Sequence, residues 1–106
     1  MRYLVVTTAR SPLPPDMIMG LLDAMSEWAE RYSAAGKIEQ TWSFAGLRGG
    51  GGIMNVDSPE ELDEIMTEFP FASFSKVRVY GLVDLQKSLD HGKKAIAAMM
   101  AGAAGR

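Results

Sequence analysis

Between Arg2 and Leu82 the spacing of apolar residues alternates between two periods, about two for a strand and about 3.6 for a helix, in the order strand, helix, strand, strand, helix, strand. Arg2 to Thr8 is rich in β-branched and aromatic residues, with Tyr3 and Val5 on one parity and Leu4 and Val6 on the other, so this strand expects cover on both faces. Three prolines between Ser11 and Pro15 end it, and a helix is predicted from Asp16, its stripe made of Ile18, Leu21, Leu22, Met25, Ala29 and Tyr32 and its stop at Gly36. Ile38 to Phe44 alternates again, with Ile38, Gln40, Trp42 and Phe44 sharing one side. The glycine-rich run Gly46 to Gly52 reads as a flexible connection into a short strand, Ile53 to Val56. Ser58-Pro59-Glu60-Glu61 is a capping box with proline in the first turn, and Leu62, Ile65, Met66 and Phe69 supply the stripe of the helix it opens. Pro70 breaks that helix, and Lys76 to Leu82 returns as a strand.

A βαββαβ order is the ferredoxin-like α+β arrangement, a four-stranded antiparallel sheet with two helices on one face. At 106 residues and 47% hydrophobic, the chain has material for one core: a body over 1–83 and an extension over 84–106, helical or partly disordered. Eleven Lys and Arg against thirteen Asp and Glu leave a charge of −2 with no basic cluster, which argues against nucleic acid as a partner. There is no cysteine, hence no disulfide, thiolate metal site or cysteine nucleophile. No apolar run approaches the roughly 18 residues needed to span a bilayer, and the short run at Leu4 to Val6 is no signal-peptide core, so a cytoplasmic protein away from membranes is expected.

Two helices cover one sheet face only. Tyr3, Val5, Thr7, Gln40, Trp42, Phe44, Ile53, Asn55, Arg78 and Tyr80 are assigned to the open face, against a helix-facing set of Leu4, Val6, Met54, Val56, Val77 and Val79. An open face so aromatic is costly in water, and a second copy laid against it would bury it and enclose a cavity, which predicts a homodimer or a higher homo-oligomer.

Trp42 with Ala45-Gly46, Val56, Ser58 with Glu61-Leu62, and Phe69-Pro70-Phe71 with Phe74 give the stretch Gly36 to Val79 a resemblance to the muconolactone Δ-isomerase family of dimeric α+β barrel proteins. The resemblance implies a cofactor-free reaction in which a proton is taken from a carbon beside a lactone carbonyl and returned to another carbon. It also implies a histidine and an arginine around the tryptophan, where this chain has Gln40 and Ser43, and an acidic residue near Met25, for which Glu27, half a turn away, is the substitute. Efficient turnover of muconolactone itself is therefore not expected.

The expected ligand is a small cyclic or aromatic metabolite, held by Tyr3, Gln40, Trp42, Phe44, Arg48, Asn55 and Tyr80, with Glu27 or His91 as the base of an isomerisation or cyclisation. His91 is the only histidine, the one side chain whose ordinary pKa lies near neutrality, yet it lies in the extension, where an exposed position is the plainer expectation. Gly49 to Gly52 is no phosphate loop, because no Lys-Ser/Thr pair or helix start follows. Glu60, Glu61, Asp63, Glu64 and Glu68 form a solvated helix face, and no metal or cofactor is expected. Two other functions suit the same pattern: a cofactor-independent oxygenase of aromatic polyketide-type substrates, and a non-catalytic ligand-binding or assembly protein.

Overall fold

The computed structural model describes residues 1–104. The strands are β1 (Arg2–Ala9), β2 (Ile38–Ser43), β3 (Gly49–Asn55) and β4 (Ser75–Leu82), and the helices are α1 (Ile18–Ala34), α2 (Pro59–Thr67) and α3 (Leu85–Ala104). All strand pairs are antiparallel, in the order β2-β3-β1-β4. This is the expected ferredoxin-like α+β architecture, followed by a helical extension.

Local chemistry sets the helix ends. Ser58 Oγ accepts from the Glu61 amide at 3.1 Å, while Glu61 Oε1 reaches back to the Asp57 amide at 3.2 Å, one residue before the cap. Gly36 closes α1 with φ of 75°, its amide bonding Ser33 O at 3.0 Å and that of Lys37 bonding Tyr32 O at 2.9 Å. These are the paired bonds of a Schellman turn.

The core lies between the sheet and the two helices: Val5, Ile38, Met54 and Val56 from the sheet side meet Trp28 of α1 and Leu62, Ile65 and Phe69 from α2 and the turn after it. Trp28 is its centre, donating from Nε1 to Ile65 O at 3.0 Å with its ring 5.2 Å from that of Phe69.

Three features depart from the pattern reading. First, β1 is turned over: Val5 is buried and Tyr3 packs on the core, with Thr7 on the same side, whereas Leu4 and Val6 lie on the open face. With both parities apolar, β1 could not report its own orientation; pairing of Tyr3 with Met54 and of Val5 with Gly52 decides it. Second, β2 carries an irregularity between Ile38 and Gln40, which puts Ile38 in the core while Gln40 and Trp42 share the open side with Ile53 and Gly51. Third, the glycine run is no flexible connection. Gly49 to Gly52 are part of β3, laddered to β1 on one side and, from Gly50 on, to β2 on the other.

One charged cluster ties β2 to α2. Lys37 Nζ lies 2.8 Å from Glu61 Oε1 and 3.6 Å from Asp57 Oδ2. The hydrogen bond from Lys37 is the main cause holding the Glu61 carboxyl below its ordinary value, helped by the Asp57 amide, and the same bond raises Lys37. A carboxylate whose pKa is lowered by folding contributes stability above its unfolded pKa, about 4.3, and that contribution is lost as pH falls through the lowered value. Thermal melts across the acid range should therefore show a steeper fall for the parent than for Glu61→Gln. Parallel curves would mean that the ion pair adds nothing.

Candidate functional site

The helix side of the sheet holds a cavity of about 750 Å³. Val5, Thr7, Thr41 and Ser43 pave its floor with Gly50 and Gly52, and Leu22, Met25, Ser26 and Ala29 of α1 form the roof. Phe44, Leu47 and Arg48 stand at one end, and Phe69, Phe71 and Phe74 contribute aromatic wall. The space exists because the floor is paved with small residues: Gly52 faces Val5, and Gly50 faces Thr7, with no side chain to fill the gap to α1.

Polar groups in the cavity are few. Thr41 Oγ1 donates to Gly51 O at 3.0 Å and Thr7 Oγ1 to Gly50 O at 3.4 Å, while Ser11, Ser26, Ser43 and Ser75 offer further hydroxyls. Arg48 is the one charged residue among the described residues lining it, on a loop held to β1 by the Ala9 amide bonding Arg48 O at 2.9 Å. An apolar chamber with hydroxyls and one guanidinium suits a ring carrying one acidic group.

The residues singled out from the sequence fall in four places. Phe44 and Arg48 line the cavity, and Trp42 borders it without its indole entering. Gln40, Asn55 and Tyr80 lie on the open sheet face and are exposed; the Trp42 indole lies there too, 39% exposed over Gly51, where a Cβ would stand 2.9 Å from its Nε1. Tyr3 belongs to neither set, since its ring packs into the core side of β1 and passes Gly81. Glu27 and His91 also stand outside the cavity: Glu27 is exposed on α1, two residues from Met25 and so turned away from the roof, and His91 is exposed on α3.

The floor and roof, namely Thr7, Thr41, Ser43, Gly50 and Gly52 with Met25, Ser26 and Ala29, were not assigned from the pattern. A signal did exist in the glycine run and in the small residues Ser26 and Ala29, which lie three apart on α1. No group of three or more His, Cys, Asp or Glu able to hold a metal ion occurs among the described residues. Among the described residues, no helix is long and apolar enough to cross a membrane.

The fold is shared with solved proteins. A crystal structure of muconolactone isomerase superposes with a TM-score of 0.72 at 24% identity, covering 79% of this chain and 90% of that one. A 5-chloro-2-hydroxyhydroquinone dehydrochlorinase, TftG, from Burkholderia phenoliruptrix AC1100, in complex with 2,5-dihydroxybenzoquinone, superposes with a TM-score of 0.62 at 20% identity, covering 82% of this chain and 98% of that one. At these identities the likeness is one of fold. No curated protein matches the chain in sequence. The family profile for muconolactone delta-isomerase, by contrast, matches residues 1–87, the whole sheet with α1 and α2, and the chain therefore belongs to that family.

Proposed function

We propose that the chain takes a small cyclic or aromatic metabolite into the cavity beneath α1 and processes it by cofactor-free proton transfer, as an isomerisation or cyclisation. The single observation that carries this reading is the chamber of about 750 Å³ with apolar walls, a hydroxyl-bearing floor and Arg48 as its one charged lining residue. Arg48 takes an acidic group of the ligand, the aromatic wall takes the ring, and Thr41 and Ser43 orient its oxygens. One solved structure of this fold is a muconolactone isomerase and another a 5-chloro-2-hydroxyhydroquinone dehydrochlorinase holding 2,5-dihydroxybenzoquinone, and small cyclic ligands in both names support the same class of ligand here.

Glu27 and His91 are the proposed bases. Neither lines the cavity of its own chain, and in a dimer formed on the open sheet face the partner's Glu27, on its α1, lies on the far side, so His91 on the projecting α3 is the base that a second copy could bring to the ligand. A homodimer formed on the open sheet face, over Leu4, Val6, Trp42 and Tyr80, is part of this proposal. The same observation favours one second reading, a ligand-binding protein without catalysis.

Calorimetry with benzoate and with muconolactone tests the binding step. Arg48→Ala should weaken either acid roughly 10- to 100-fold, the effect of losing a hydrogen bond to a charged group of about 1.5–3 kcal/mol. Failure of the parent chain to bind any ring-bearing acid would overturn the reading. Turnover of muconolactone is expected below about 1 per second, under the ordinary range of about 1 to 1,000 per second. Deuterium entering a bound ring acid from heavy water would separate the proton-transfer enzyme from the binding protein.

A further inference from the structure

The chamber beneath α1 is larger than a single-ring acid needs. Such an acid has about ten non-hydrogen atoms, and at the ~30 Å³ that a water takes in the liquid for each of them it fills at most about 300 Å³. The cavity measures about 750 Å³. It falls within the roughly 300–1,000 Å³ of pockets that close around drug-sized molecules. With one ring inside, more than half of the space would stand empty or wet against Leu22, Met25, Phe71 and Phe74, and apolar walls gain nothing from either.

Strand pairing sets the direction in which the extra space runs. Val5, Gly52 and Thr41 make one row of the floor and Thr7, Gly50 and Ser43 the next, while Ala9 and Arg48 stand together beyond them at the end of β1. Each row has a side chain on either flank and none in the middle, so the glycines of β3 form a trough. At a strand spacing of about 4.8 Å it is roughly 9.6 Å wide from β1 to β2, and from Val5 to Ala9 it is about 13 Å long. A six-membered ring measures about 3 Å between its atoms and about 6–7 Å with its van der Waals surface. One ring therefore fits the width, and two or three fused in line fit the length. Helix α1 covers the trough from Leu22 to Ala29, over about 10 Å, so a flat molecule suits the slot between them.

We infer that the ligand is a planar acid of two or three fused rings, its anionic oxygen on Arg48 and its distal ring on Gly52 beneath Ala29, an assignment that rests on the cavity being the ligand site proposed above. Gly52 and Ala29 are then the residues that set ligand length. Helix α1 returns from the end of β1 to the start of β2, which runs parallel to β1, so Ala29 lies farther from the Arg48 end than Leu22 and Met25 do. Gly52 belongs to the inner row of the trough, and Trp28, Ile38 and Met54 close the space behind both. Neither residue has a charge or a hydroxyl to offer; each acts by leaving room.

Calorimetry of the full chain with benzoate, 2-naphthoate and anthracene-2-carboxylate reads ligand length directly. The naphthoate should bind about tenfold or more tighter than benzoate, and the anthracene acid at least as tightly as the naphthoate. A longer acid is also more apolar, so two variants separate fit from apolarity. Gly52→Ala places a Cβ 3.1 Å from Gln40 O, a contact that a small movement relieves, and Ala29→Leu puts a good helix former in a helix. Both narrow the inner end, and each is used only if it keeps the cooperative urea transition of the parent. Either should weaken the two fused-ring acids about tenfold or more and leave benzoate, held at the Arg48 end, within about twofold. Fused-ring acids that bind no tighter than benzoate would overturn the inference and leave the proposed site standing. So would folded variants that weaken all three acids equally or none of them. If no acid binds, the proposed site falls and the inference falls with it.

Discussion

Replacing Trp28 by alanine should lower the stability of the chain by about 3–5 kcal/mol, read from the shift of its urea midpoint. The indole is 6% exposed, fills the space between α1 and α2, and packs against Phe69 at 5.2 Å and Tyr32 at 5.8 Å. Removing it opens a void lined by Ile65, Phe69 and Met54 and leaves Ile65 O without the donor it has at 3.0 Å. Domains of this size hold about 5–15 kcal/mol in total, so the loss is a large fraction of the whole. Trp28→Phe keeps most of the ring contact and loses the hydrogen bond, and a smaller cost of about 1–2 kcal/mol is expected. An alanine variant within about 1 kcal/mol of the parent would mean that the core does not rest on this residue.

Gly49→Ala should cost about 2–6 kcal/mol, combining backbone strain of about 1–3 kcal/mol with overpacking of similar size. Gly49 has φ of 152°, and a Cβ there would stand 2.2 Å from Thr7 O, a backbone atom of the paired strand. The strand cannot yield without disturbing the Thr8–Gly49 pairing and the bond from the Phe44 amide to Gly49 O at 3.0 Å. Gly52→Ala is the control. Its Cβ would meet Gln40 O at 3.1 Å with no positive φ, so a few tenths of an ångström of movement suffice and the loss should stay below about 1 kcal/mol. Equal stability of the two variants in denaturant titration would contradict the geometry of β3.

The helices and their ends were readable because their signals are local. Ser58 and Glu61 cap α2 through bonds within four residues, Gly36 ends α1 through bonds within five, and the stripe Leu62, Ile65, Phe69 needs only the helical period to point inward. The strand order of the fold class followed from the same patterns, since few topologies accept βαββαβ. Individual site residues were less readable. Phe44 and Arg48 stand at the cavity, whereas Gln40, Asn55, Tyr80 and the Trp42 indole lie on the other face and Tyr3 in the core.

What the chain determines by itself is thus the sequence of elements, their caps and the apolar stripes of α1 and α2, all set by interactions among near neighbours. Tertiary structure alone decided which face of β1 is buried, because Leu4 and Val6 are as apolar as Tyr3 and Val5 and only pairing with Met54 and Gly52 breaks the tie. It also decided that Gly49 to Gly52 form a strand, since glycines have no side chains to announce one and gain their order from ladders on both sides. The cavity follows from those two choices: the strand without side chains lies beneath α1, and the space left between them is large enough for a ligand.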